Sequence, residues 1–235
     1  MILPFRSGAP ESGQSVPTLR SEHPFSIASG TLMRVGIRLL GSSSVAMAAI
    51  IEAIARLGLD VGGIRLLLRA AHDGSGRMLF DRSFPLIPTQ NPPLQRISCQ
   101  PEPARLVRVV FETPTILKLG KGPTFNPDDF AARFFEHSLA RAVQVHNCLM
   151  GQPLLPWMEA PPVHPRIVGH RLFRYLLPRR SYRQDKWMDF DGLMGYLDLA
   201  GELDAVMPYA RAAEVLHFGQ KAAFGLGKVR VLVLE

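Results

Sequence analysis

Cysteine is scarce in this chain of 235 residues; Cys99 and Cys148 are the only two, and they lie far apart. Such thiols give no disulfide framework and no paired-cysteine metal pattern, and they fit a reducing cytoplasm, the expected location. Long apolar runs are missing too. The longest, Val45 to Ile51, is too short to span a bilayer, and Met1 to Leu3 opens no secretory-type leader. No membrane partner is expected. No two histidines have the spacing of a zinc-protease helix, and no Gly-x-Ser-x-Gly elbow occurs. Asp128-Asp129 opens a predicted helix, where acids favour the positive end of the dipole, so this pair requires no metal. Neither a metal nor a cofactor is expected.

Acid is in short supply relative to base. Lys and Arg number 27 against 20 Asp and Glu, a net charge of +7, and the isoelectric point is near 9.9. That balance favours an acidic partner, and salt-sensitive binding if the partner is a phosphate polymer. The charge is also uneven. From His164 to Lys186 stand Arg166, Arg171, Arg174, Arg179, Arg180, Arg183 and Lys186, against the one acid Asp185. From Trp187 to Leu216 there are six acids and one arginine. A basic stripe interleaved with Tyr175, Tyr182 and Trp187 can hold phosphates and stack bases. A solvated polar face is the other reading.

The C-terminal end runs from helix to glycine loop to strand. Val206, Tyr209, Ala210, Ala213 and Leu216 have helical spacing, and Gly219, Gly225 and Gly227 punctuate the loop before the strand Lys228–Leu234. Glycines let backbone N–H groups approach a ligand closely and can form a nest for phosphate. Lys221, Lys228 and Arg230 surround the loop with positive charge. The nucleotide-binding glycine motifs run strand, glycines, helix, so the reversed order here argues against a dinucleotide site. Two readings stand for the loop: a contact for a polyanion, RNA foremost, or a tight turn in which glycine caps a helix.

Periodicity and turn residues divide the rest. Residues 1–22 contain Pro4, Gly8, Pro10, Gly13 and Pro17 and are expected as a flexible loop. A strand is predicted over Leu32–Leu40, a helix over Val45–Leu57 with Ser42 to Ser44 as N-cap and Gly58 as C-cap, and a strand over Ile64–Ala71. Met78–Ile87 adds a hairpin, and the proline-rich stretch Pro85–Pro103 reads as a linker. Beyond it come a strand over Leu106–Leu117, a helix over Pro127–Cys148 capped by Asn126, strands over Arg166–Leu177 and Gly192–Leu199, a helix over Leu203–Leu216 and the last strand. This β-α-β-β-α-β order is ferredoxin-like. The expected class is α+β: a ferredoxin-like domain over 103–235 preceded by an incomplete ferredoxin-like unit over 23–96.

Four pieces of the C-terminal half, in this order and spacing, carry a family resemblance. They are Ser181-Tyr182-Arg183-Gln184, Asp191-Gly192-Leu193-Met194-Gly195-Tyr196, the helix Leu203–Leu216, and the loop from His217-Phe218-Gly219 to Phe224-Gly225-Leu226-Gly227. Together they resemble the signature of the CRISPR-associated RNA-processing endoribonucleases of the RAMP superfamily, the Cas-six group. Weaker matches lie over Arg105–Leu117 and Gly30–Gly41. The resemblance implies a cytoplasmic protein of antiviral defence that binds the repeat of CRISPR precursor RNA and cleaves it without metal. It implies RNA contacts at Arg179, Arg180, Arg183, Lys186, His217, Gly219, Lys221, Gly225, Gly227, Lys228 and Arg230. The alternative is a non-catalytic repeat-RNA-binding or structural RAMP subunit, meeting other Cas proteins in an effector complex.

The family's usual general base is a histidine in a first strand and helix that should precede His23-Pro24-Phe25, where only 22 residues stand. No residue inherits that role by motif, and this favours the non-catalytic alternative. Of the seven histidines, His23 lies nearest the expected base and is the catalytic candidate. His217 is read either as a phosphate contact or as a helix C-cap. His164 and His170 lie on the basic strand, His146 is expected in the core, His137 on the surface and His72 in a turn.

Overall fold

The computed structural model describes residues 16–20, 28–61, 64–84, 100–120, 122–150, 163–181 and 184–235, without the side chains of residues 61, 150 and 180. The chain divides into two compact units, Ala28–Arg96 and a larger one built from Met1–Ile27 and Ile97–Glu235. The first strand, β1 (Thr18–Arg20), belongs to the larger unit.

In the smaller unit a 3-10 turn, Gly41–Ala46, leads into α1 (Met47–Leu57). Gly58 ends that helix at φ 71° and donates its N–H to the Ile54 carbonyl at 2.8 Å, the expected C-cap. The serines expected as N-cap instead lie inside the turn, and Ala46 takes the cap position. Two antiparallel hairpins follow, β2 (Leu59–Val61) with β3 (Ile64–Leu66), and β4 (Ala70–His72) with β5 (Met78–Asp81). The single strand expected over 64–71 is therefore split between two ladders. Residues 31–40 form no strand, and Leu32, Met33, Val35 and Ile37 are exposed. Alternation alone does not make a strand; backbone N–H and C=O groups need a neighbouring ladder, and both hairpins here pair only within themselves. Ile51, Leu79 and Phe80 form the core, with Met47, Ala55, Leu68 and Ala71 packed against them.

The larger unit continues with β6 (Leu106–Thr115), β7 (Leu117–Leu119), β8 (Gly122–Thr124), α2 (Pro127–Met150), β9 (Arg166–Ser181), β10 (Lys186–Ala200), α3 (Met207–Leu216) and β11 (Val229–Val233). Its sheet has the order β1-β9-β10-β6-β11. Leaving aside β1 and the small β7–β8 hairpin, four antiparallel strands and two helices make the expected ferredoxin-like order. β1 departs from the loop expected over 1–22. It lies parallel to β9 at the outer edge, with Thr18 opposite Arg174.

Alternation positions this core. Val107, Val109 and Phe111 of β6, Leu193 and Leu197 of β10, and Val229 and Val231 of β11 are all buried beneath the helices. α2 presents Phe130, Phe134, Phe135 and Leu139 as its inner stripe. Asn126 Oδ1 accepts the Asp128 N–H at 3.1 Å, with Pro127 at the first helical position. α3 lays Ala210 and Ala213 inward, small residues that admit close packing. Arg211 ties α3 to its surroundings: it donates to Glu102 Oε1 at 2.7 Å, Glu214 Oε2 at 3.1 Å and the Val231 carbonyl at 2.7 Å. The hydrogen bonds to Glu102 and Glu214 raise the Arg211 pKa, and the guanidinium holds the Glu102 carboxyl below its ordinary range. Glu214 Oε1 accepts the Val231 N–H at 2.7 Å, so these side chains occupy the outer edge of β11.

Candidate nucleic-acid interface

The glycine-rich loop is strapped to the end of β6. Gln220 N–H donates to the Ile116 carbonyl at 2.9 Å, Gly227 N–H to Pro114 at 3.1 Å, and Phe218 N–H to Gly227 at 2.8 Å. Thr113 Oγ1 donates to the Gly225 carbonyl at 2.9 Å and accepts the Lys228 N–H at 2.8 Å. Phe218 plugs the loop into the core, its ring centroid 5.1 Å from that of Phe134. Many of the loop's N–H groups are thus engaged inside the protein, and its exposed tip runs through Gln220, Lys221 and Ala223–Gly225.

The three glycines differ. A Cβ at Gly227 would lie 1.8 Å from the Phe218 carbonyl oxygen, and one at Gly219 would lie 2.5 Å from that of Ile116. Both glycines also have positive φ, so they are needed for close backbone packing. Gly225, at φ 78°, faces open space. The tight-turn reading therefore accounts for Gly219 and Gly227, while Gly225 lies at the exposed tip.

Beside that tip the loop meets the basic strand. The Arg179 guanidinium of β9 lies 4.3 Å from the Phe224 ring centroid and 5.3 Å from that of Phe190 on β10. Lys221 Nζ is 4.7 Å from the Phe190 ring, and the two rings are 5.5 Å apart. Phe190 is buried, whereas Phe224 is 57% exposed. Two cations separated by some forty residues thus converge on an aromatic pair, an arrangement suited to cation–π attraction. Charge patterning found Arg179 and Lys221. Phe190 carries no signal in the sequence, because its part depends on which β10 residue lies opposite β9.

Lys228 and Arg230 share one carboxylate. Glu112 Oε2 is 2.9 Å from Lys228 Nζ, and Oε1 is 3.0 Å from Arg230 Nη2. Their combined charge is therefore partly offset. Lys186 is exposed at the start of β10. His217 is the C-cap residue of α3, at φ 65°, and its Nδ1 lies 2.8 Å from the Leu226 carbonyl. In the neutral ring this fixes the proton on Nδ1 and makes Nε2 the acceptor. His137, expected at the surface, is half-buried, its ring centroid 6.3 Å from that of Phe218; burial lowers its pKa. His146 is half-buried rather than in the core, and His164 is exposed. His23 and Arg183, and the side chain of Arg180, lie outside the described residues.

A family model described as the CRISPR-associated endoribonuclease Cas6 matches residues 109–229, more than half of the chain. The chain belongs to that family. No curated protein matches it. Among solved structures, Thermus thermophilus Cas6 shares 18% identity at a TM-score of 0.38, over 56% of this chain and 55% of that one. A product complex of that Cas6 shares 17% identity at a TM-score of 0.49, over 78% of this chain and 68% of that one. A second Cas6 product complex shares 20% at a TM-score of 0.37, over 55% of this chain and 52% of that one. The chain spans about half the length of the first two structures it matches.

Proposed function

We propose that this chain binds the repeat of CRISPR precursor RNA and cuts it once by metal-independent transesterification. The observation that carries this reading is the convergence of Arg179 and Lys221 on Phe190 and Phe224, beside the glycine-rich loop of a Cas6-family protein. Two cations and an exposed ring give a phosphate contact and a stacking surface together. Gly225 lets the tip approach the backbone, while Gly219 and Gly227 hold its shape. Arg180, Arg183 and Lys186, from the same basic stretch of sequence, are further phosphate contacts in this reading, and Lys228 and Arg230 supply a weaker one because Glu112 shares them.

In the reaction the ribose 2′-oxygen bonds to the adjacent phosphorus and the bond to the 5′-oxygen breaks. The products are a 2′,3′-cyclic phosphate and a 5′-hydroxyl. A base must take the 2′-proton and an acid must protonate the leaving oxygen. His23 is proposed as the base. His217, with Nδ1 held by Leu226, would present Nε2 to the phosphate.

The test is incubation of the purified chain with end-labelled repeat RNA in EDTA across a salt series. One discrete cut that leaves a cyclic phosphate is expected, and loss of cutting in H23A or H217A would locate the base. Salt-sensitive binding without a cut would instead make the chain a repeat-binding or structural RAMP subunit of a complex with other Cas proteins. The absence of both binding and cutting would overturn the RNA reading. Lys221→Glu should weaken binding roughly tenfold, about the loss expected when a phosphate contact reverses sign.

A further inference from the structure

The β9–β10 hairpin outruns the rest of the sheet. β9 and β10 are 16 and 15 residues long against 10 for β6, and Leu193 is the β10 residue nearest the hairpin end that still pairs with β6. Past it the hairpin projects; among the described residues, β1 is the only strand beside this part, while the glycine loop packs on it at Phe190. On this projection Trp187 is 63% exposed. It borders a groove of about 440 Å³ whose other walls are Arg20, Pro178, Met188 and Asp189.

The groove's chemistry is specific. Arg20 arrives from β1, and its Nη2 lies 3.2 Å from Asp189 Oδ2 while the side chain stays 63% exposed. Among the described residues, the one carboxylate in the lining is thus already paired with a guanidinium. The site combines a flat indole, apolar walls from proline and methionine, and the exposed Arg20 guanidinium. A nucleobase on the indole would place its phosphate toward that guanidinium, the pattern of single-stranded nucleic-acid platforms. An apolar peptide would leave the guanidinium unused.

We propose that this groove is a stacking subsite for one unpaired nucleotide flanking the stem of the bound RNA, with Trp187 taking the base and Arg20 its phosphate. It rests on the RNA-binding reading above but uses none of the glycine-loop residues. The protein has two tryptophans, so Trp157→Phe leaves Trp187 as the sole indole emitter. This variant is titrated with two RNAs: the repeat hairpin bearing unpaired flanking nucleotides, and the same hairpin cut blunt. Saturable quenching is expected with the flanked RNA and little with the blunt one. Trp187→Ala should weaken binding of the flanked RNA roughly tenfold and leave the blunt RNA unchanged, whereas Trp187→Phe should recover most of the loss. Equal quenching by both RNAs, or unchanged affinity in folded Trp187→Ala, would overturn the subsite while the RNA reading survives, and would leave the groove to a protein partner. Failure of both RNAs to bind would overturn both readings.

Discussion

Among the described residues, twenty-one buried side chains join one core in the larger unit, whereas three, Ile51, Leu79 and Phe80, form that of the smaller. Both units draw on alternating apolar sequences. In the larger, β6 lies between β10 and β11, so each inward valine meets a neighbour on both sides. In the smaller, each ladder has only two strands, and the alternation of 32–40 finds none. A pattern becomes a core where a pairing partner exists, and the candidate RNA-binding residues sit on the unit where it does.

The sharpest test of that contrast lies inside the glycine loop. Gly227→Ala would force a Cβ into the Phe218 carbonyl, and a loss of at least about 3 kcal/mol is expected, in the range of severe backbone clashes. Gly225→Ala, in open space at positive φ, should lose only about 1 kcal/mol. Urea denaturation of both would decide it; equal losses would mean the loop is not packed on β6 as described.

Next in size is Arg211→Met, expected to destabilise by about 2 kcal/mol because two carboxylates and a carbonyl lose a charged donor. The Glu102 pKa is lowered in the folded protein. Its contribution is therefore complete above the ordinary glutamate value of about 4.3 and is lost as pH falls through the folded value. Wild type should lose stability more steeply than the variant in that acid range. Parallel pH curves would remove Arg211 as the cause.

Ile51→Ala probes the smaller core, with an expected loss of about 2 kcal/mol. Hydrogen exchange should rise across α1 and leave β6 and β10 protected. Deprotection of β6 as well would break the separation of the two cores. The smallest effect concerns His137. Burial lowers its folded pKa, so the unfolded chain binds the proton more readily, and stability should fall as pH drops through about 6.5. His137→Phe should flatten the change in thermal midpoint between pH 7.5 and 5.5. An unaltered slope would assign the acid sensitivity elsewhere.

The order of strands in the larger unit was legible, because Val107, Val109 and Phe111 alternate, Asn126-Pro127 announces a helix, and Gly219 to Gly227 mark its successor's end. β1 was not. Thr18–Arg20 is too short to show a period, and its pairing is set by β9 at a distance. The β7–β8 hairpin, which begins where the strand predicted over Leu106–Leu117 ends, escapes the sequence pattern for the same reason, each of its strands being three residues long. Of the site, Arg179 and Lys221 were visible as charges, but their meeting over Phe190 follows from cross-strand register, which composition does not encode.

The edge strand β1 also sets a timetable. Thr18 pairs with Arg174, so it must wait for a partner made roughly 150 residues later. At ordinary rates of synthesis that delay is about ten to thirty seconds. Arg20, which walls the Trp187 groove, takes its place only once β10 has followed. β1 is thus seated only after α2 and β9 have been made, and the groove is complete only once β10 has followed.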